Sequence, residues 1–357
     1  CPKKSSCSIL LIKFDNGEKM MKTLKLVLTS VTMFAVLIGG DESRIGTSGG
    51  NQVLVPVGAR GIALAGSERV YSSGLESVYW NPAGLARSQS PTVLASSMDL
   101  FNDMGVNYFG ASGNFDKLGM LGVTVKSIDM GDIPVTTVED MDGLGGGTFK
   151  PTLTTMGVTY ANSFSDRSFF GVTGKIVYES IPRATASALA LDIGVQYTGL
   201  AGVEGLGLGL VLNNIGTDMH YEGSGLTGQG TTEDGISDFL NREASYDKLP
   251  STYNMSLSYS VAGAILGMTY TSHNFSYDEL NLGGEYTLND MFHLRAGLTS
   301  PMLEEDSMND GETLYSMNFG AGLKYSLYGV NLVVDYTMRN QSDSFNTSNV
   351  FSLGLVF

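Results

Sequence analysis

Few residues in this sequence have the types and spacing that chemistry needs. The three histidines are His220, His273 and His293. None stands at metal-ligand spacing from another His or from a Cys, so no metal site is expected. Cys1 and Cys7 are the only cysteines, and both lie at the extreme amino terminus. No nucleophile–base set is readable, so the chain is expected to be non-enzymatic, with no catalytic residue and no cofactor. His293 lies two positions from Arg295, which suits a polar network better than a lone base. Carboxylates crowd into 129–149, 217–249 and 301–312. Hard divalent cations favour such oxygen ligands, but calcium-loop spacing is absent, so a solvated acidic surface is expected. Bridging to surface polysaccharide through divalent ions is the lesser alternative. Gly205, Gly207 and Gly209 lack the Walker pattern of a phosphate loop and read as relief of crowding or as bends.

The elements that must position these residues follow from composition and period. The chain has 357 residues, 16% of them charged, with 46 Gly, 17 Tyr, 16 Phe and a formal net charge of −15. An acidic balance excludes a basic nucleic-acid face. Beyond residue 40 no apolar run of about 20 residues survives, so a bundle of membrane helices is excluded. From Ser90 onward the pattern alternates with period two, the strand signature. Tyr253, Met255, Leu257 and Tyr259 alternate with Thr252, Asn254, Ser256 and Ser258. Fourteen such segments run from 91–98 to 347–357, most of them long enough for a tilted strand to cross a bilayer. The long connections are the third, seventh and eleventh, all odd, and the even ones are short. That parity predicts a transmembrane antiparallel β-barrel with short turns on one side and long loops on the other. The acidity of the three long connections equals the whole net charge. In a barrel the polar face points into the lumen. It carries Lys126, Lys175, Asp192, Glu285, His293, Arg295, Lys324, Asp335 and Arg339, a candidate lumen network.

Two amino-terminal pieces precede the barrel of 91–357. Residues 1–40 read as an upstream extension followed by a secretory signal that starts at Met20 or Met21. Lys22 and Lys25 precede an apolar run over 26–38, then Gly39 and Gly40. This predicts export to the outer membrane of a Gram-negative-type bacterium. Residues 41–90 do not alternate, include a candidate short helix within 60–79, and are placed to plug a barrel wide enough to have a lumen.

The stretch Gly58-Ala59-Arg60, Leu64-Ala65-Gly66 and Tyr79-Trp80-Asn81-Pro82-Ala83-Gly84-Leu85 resembles the amino-terminal signature of the PorV/PorQ-like outer-membrane proteins, within the FadL-like group of fourteen-stranded barrels. Leu212-Asn213-Asn214-Ile215-Gly216, Leu249-Pro250 and Leu282-Gly283-Gly284-Glu285-Tyr286 are similar to further family segments. Relatives often carry an acidic pair before the Trp80 motif, where this chain has only Glu76. The resemblance implies a hatch whose gating candidates are Arg60, Trp80, Asn81, Pro82, Ala83, Gly84 and Leu85. It implies two functions. One is a secretion accessory of type IX character that binds exported cargo proteins and passes them on. The other is a FadL-like channel for hydrophobic small molecules such as long-chain fatty acids, released sideways through a strand kink. A ligand channel is expected to show a continuous apolar cavity beside Trp80 and Leu85; a cargo shuttle need not. In either case outer-membrane lipid is the expected surrounding partner.

Overall fold

The structure is a computed structural model that describes residues 44–101, 104–231, 237–302, 317–340 and 347–357. The expected extension and signal, 1–40, lie outside the described residues.

Fourteen antiparallel strands close into a barrel: β1 (Thr92–Asp99), β2 (Gly105–Asn114), β3 (Met120–Asp129), β4 (Thr152–Ser165), β5 (Ser168–Ile181), β6 (Ala184–Thr198), β7 (Leu206–Gly216), β8 (Thr252–Val261), β9 (Ala264–His273), β10 (Asp278–Leu288), β11 (Phe292–Met302), β12 (Met317–Leu327), β13 (Val330–Arg339) and β14 (Ser348–Val356). Each pairs with its sequence neighbours, and β1 pairs with β14 from Thr92↔Val356 to Met98↔Val350, which closes the ring. The Phe357 N–H donates to the Pro91 carbonyl at 2.9 Å, so the seam is tied at the last residue. Closure removes the unpaired sheet edge, the liability of any open sheet and intolerable in lipid.

The faces are inverted relative to a soluble barrel. Asn254, Ser256 and Ser258 point inward and are buried, whereas Leu257 and Tyr259 of the same strand point outward. Val123, Val158, Leu189, Leu294 and Phe351 likewise stand on the outer face, each more than half exposed. Soluble proteins rarely expose such a continuous apolar surface. A hydrocarbon surround makes the arrangement favourable, so the strands span a membrane. Among the described residues no helix is long and apolar enough to do so.

The even connections are the tight turns, such as Tyr328-Gly329 between β13's start and β12's end. Of the odd ones, the fifth is also a two-residue turn, at 182–183, whereas the third and seventh are long and carry short ribbons, Ile133–Pro134 with Thr148–Phe149 and Thr227–Thr231 with Ser237–Asn241. The acidic stretch 303–316 lies outside the described residues.

The amino-terminal segment fills the lumen with a 3-10 turn (Asn51–Leu54) and three α-helical turns: α1 (Ala59–Ala63), α2 (Ser77–Trp80) and α3 (Gly84–Ser88). Two of these turns, α1 and α2, overlap the stretch 60–79 in which a short helix is expected. Gly58 at φ 85° starts α1, the left-handed residues Ala65 and Gly66 end its turn, and Pro82 follows α2 by two residues. Such backbone states interrupt a helix. The segment's apolar side, Leu75, Val78 and Leu85, packs on Leu94, Met98, Val106 and Met120 of β1–β3. The lumen face of those three strands is therefore partly apolar, because it faces the plug rather than water.

Candidate functional site

The plug is held by shape and by charge. Shape comes first. The Trp80 indole lies over Gly61 and Gly66; a Cβ on Gly61 would stand 2.0 Å from its Nε1, and one on Gly66 2.5 Å from its Cζ3. The indole N–H donates to the Val57 carbonyl at 3.1 Å. Asn81 is fully buried and donates from Nδ2 to the carbonyls of Arg69 (2.9 Å) and Val195 (3.2 Å), the latter in the barrel wall. Its Oδ1 accepts the Ala83 N–H at 3.1 Å. Opposite Asn81 and Pro82 the wall is thinned by a cross-strand pair, Gly171 and Gly194. A Cβ there would meet the Pro82 carbonyl carbon at 2.3 Å and Asn81 Oδ1 at 2.1 Å. Gly84 closes on the Ser72 carbonyl, and Ala83 and Leu85 are fully buried. The motif from Trp80 to Leu85 is thus a wedge between plug and wall, and only Trp80 of it reaches open space.

Charge comes second. Arg60 of α1 donates through Nε to Glu285 at 2.9 Å and lies 3.4 Å from Glu68. Arg295 bridges Glu285 and Asp335, each at 2.5 Å. Burial alone would lower the Arg60 pKa, but Glu285 and Glu68 override it and raise it, so the guanidinium stays charged. Glu76 accepts the Gly61 N–H at 2.7 Å. Burial, then the nearby Asp335 charge, pushes its carboxyl up to about 7, against the pull of the Gly61 N–H, Arg60 and Arg295. Elsewhere Lys126 donates to the plug carbonyls of Val53 (3.3 Å) and Val55 (2.9 Å). Lys175 pairs with Asp192 at 2.7 Å. Asp192 accepts the backbone N–H of Asn214, at φ 59°, where β7 carries two residues against one of β6.

The expected single lumen network is therefore several clusters. Glu285, Arg295 and Asp335 join with Arg60; Lys175 joins Asp192; Lys126 holds two plug carbonyls. His293 lies apart against Thr287 Oγ1 at 3.0 Å, Lys324 is exposed near the turn-side rim, and Arg339 borders a cavity above the plug.

A cavity of about 360 Å³ lies between the plug and the long-loop end of the barrel. Its floor is apolar and aromatic, with Val53, Ile62, Tyr79 and Trp80; its wall is polar, with Asn213, Asn254, Asn281 and Asn318 among others. This differs from the continuous apolar cavity expected beside Trp80 and Leu85. Leu85 is sealed in the plug core, and most wall residues come from the polar faces of β7–β12, with Lys175 of β5 and Arg339 of β13 beside them. Three residues that matter here escaped the sequence reading: Glu68, Arg69 and Asn281. Glu68 and Arg69 were legible as an adjacent pair of opposite charges in a segment expected to be buried, where each demands a partner. Burial lowers the Arg69 pKa to about 10, which still leaves it charged near neutrality. Among the described residues no cluster of potential metal ligands occurs.

No family model and no curated protein matches the chain. Solved structures do. The CymD monoaromatic hydrocarbon channel aligns with TM-score 0.52 at 12% identity, over 85% of this chain and 97% of that one. A Pseudomonas aeruginosa FadL homologue aligns at 0.51 and 13%, over 85% and 98%. The Pseudomonas putida toluene transporter TodX aligns at 0.51 and 12%, over 84% and 96%. At such identities the likeness is one of fold. The chain shares with them the fold of a closed, fourteen-stranded antiparallel barrel.

The Glu76 position gives a pH expectation. Its carboxyl titrates near 7 in the closed form and near its ordinary 4.5 when released. Between these values the closed form binds more protons, so closure weakens as pH rises and is weakest above 7. Limited proteolysis of the plug in detergent from pH 5 to pH 8 should be fastest at pH 8, and Glu76→Gln should remove most of that rise. A profile unaltered by the substitution would contradict the assignment.

Proposed function

We propose that the protein is a hatch-gated, passive uptake channel of the outer membrane for small molecules with a hydrophobic body. The observation that supports this best is the cavity on the long-loop side of a plug that fills the lumen, floored by Tyr79 and Trp80. A ligand entering from outside meets that floor and advances only if the plug moves. In this reading Arg60 and the residues from Trp80 to Leu85 gate by holding the plug, and the bulge at Asn213–Asn214, which borders the cavity, is the strand irregularity available for sideways release. The hydrocarbon and toluene chemistry in the neighbours' descriptions agrees with a hydrophobic body. The secretion-accessory reading rests on the sequence resemblance alone.

Asn81→Ala removes one plug–wall hydrogen bond, to Val195, and one within the plug, to Arg69, each worth about 1 kcal/mol, and should speed transfer of laurate into proteoliposomes several-fold. Equal rates for wild type, variant and protein-free vesicles would contradict the proposal. Exported proteins copurifying with the barrel, with no transfer, would favour the secretion role.

A further inference from the structure

The polar wall of the cavity has a directed hydrogen-bond chain that ends without a donor. Thr271 Oγ1 donates to Asn254 Oδ1 at 2.9 Å, and Asn254 Nδ2 donates to Asn213 Oδ1 at 2.9 Å. With its one proton committed, Thr271 Oγ1 can only accept, and it takes Asn281 Nδ2 at 3.3 Å. That fixes the Asn281 amide, whose Oδ1 is left with no hydrogen-bond partner although the residue is 4% exposed. Asn318 Oδ1, on a residue 3% exposed, is in the same state. Both residues line the cavity.

The cavity also holds a cation that the protein leaves without a carboxylate. The Arg69 guanidinium is buried; Nε donates to the Gly66 carbonyl at 3.2 Å, Nη1 to the Trp80 carbonyl at 2.8 Å, and its carbon lies 5.3 Å from the Trp80 ring centroid. Among the described residues no carboxylate comes within salt-bridge distance of it. Lys175 already has Asp192; Glu279 also lines the cavity, 3.7 Å from His273, and its charge acts on Arg69 only from beyond salt-bridge distance. A pure hydrocarbon in this space would displace water from two orphan acceptors and an unpaired cation and return nothing, an unfavourable exchange.

We propose that the cavity selects small organic anions that also carry a hydrogen-bond donor, such as hydroxylated carboxylic acids, rather than hydrocarbons. The carboxylate lies toward Arg69, the hydroxyl donates to Asn281 or Asn318 Oδ1, and the apolar body rests on Tyr79 and Trp80. This rests on the channel reading and names its ligand.

The test is a set of four ligands titrated calorimetrically into the detergent-solubilised full chain. 4-Hydroxybenzoate has both groups, benzoate only the anion, p-cresol only the donor and toluene neither. 4-Hydroxybenzoate should bind tightest, by roughly tenfold or more over benzoate and over p-cresol, with toluene weakest. Asn281→Leu should cancel much of the advantage of 4-hydroxybenzoate over benzoate while leaving benzoate over toluene intact. Toluene binding as tightly as 4-hydroxybenzoate would overturn the selectivity, and so would no binding by any of the four while hatch variants still open the channel. No binding together with no transport in any variant would instead remove the channel reading beneath it.

Discussion

Replacing Glu285 by alanine is expected to destabilise the closed barrel by about 3–5 kcal/mol, the usual cost of removing one partner from a buried ion-pair network. Glu285 is the joint between plug and wall. It accepts Arg60 from α1 at 2.9 Å and Arg295 from β11 at 2.5 Å, and Arg295 in turn holds Asp335 of β13. Without it, two guanidiniums are left with Glu68, Asp335 and the more distant Glu76 to share, in a space the plug keeps from water. The cheapest relief is for the plug to leave, which hydrates Arg60. Thermal unfolding in detergent should therefore show a lowered transition, and protease should reach the plug sooner. A double variant, Arg60→Met with Glu285→Leu, should recover most of the loss, since replacing a buried pair with apolar residues is often neutral or better. Equal stability of Glu285→Ala and wild type would mean that the plug is held by shape alone.

The second large effect is expected from Trp80→Ala, at about 3–5 kcal/mol for an aromatic removed from a packed core. The indole fills the space that Gly61 and Gly66 leave open, stacks edge-on with Tyr79 at 5.0 Å and caps the Val57 carbonyl. Its loss joins that volume to the cavity above. The reciprocal change, Gly61→Ala, places a Cβ 2.0 Å from the indole nitrogen and must displace the ring. Both should raise the leak of small solutes through the barrel. If Gly61→Ala leaves stability and leak unaltered, the indole does not occupy this seat.

The barrel was largely legible because period two survives any error of a few residues. The segment read as 91–98 is β1 at Thr92–Asp99, and the one read as 278–288 coincides with β10. Lumen residues such as Asp192 and Arg295 were legible for the same reason, since parity alone fixes their face. The plug was less so. Its helical turns are set by left-handed residues and by contacts to Gly171, Gly194 and Glu285, far away in sequence, so no local pattern shows them. The cavity's polarity was not legible either. Asn213, Asn254, Asn281 and Asn318 lie on different strands, and only the register brings them to one level of the wall.

The central claim, that a removable plug closes this barrel, is tested most directly by single-channel recording of wild type and Glu285→Ala in planar bilayers at one pH and salt. Wild type should stay closed with brief openings, and Glu285→Ala should show long openings of a larger, uniform conductance. A wild type that conducts steadily at the level of the variant, or a variant as silent as wild type despite its lowered stability, would contradict it.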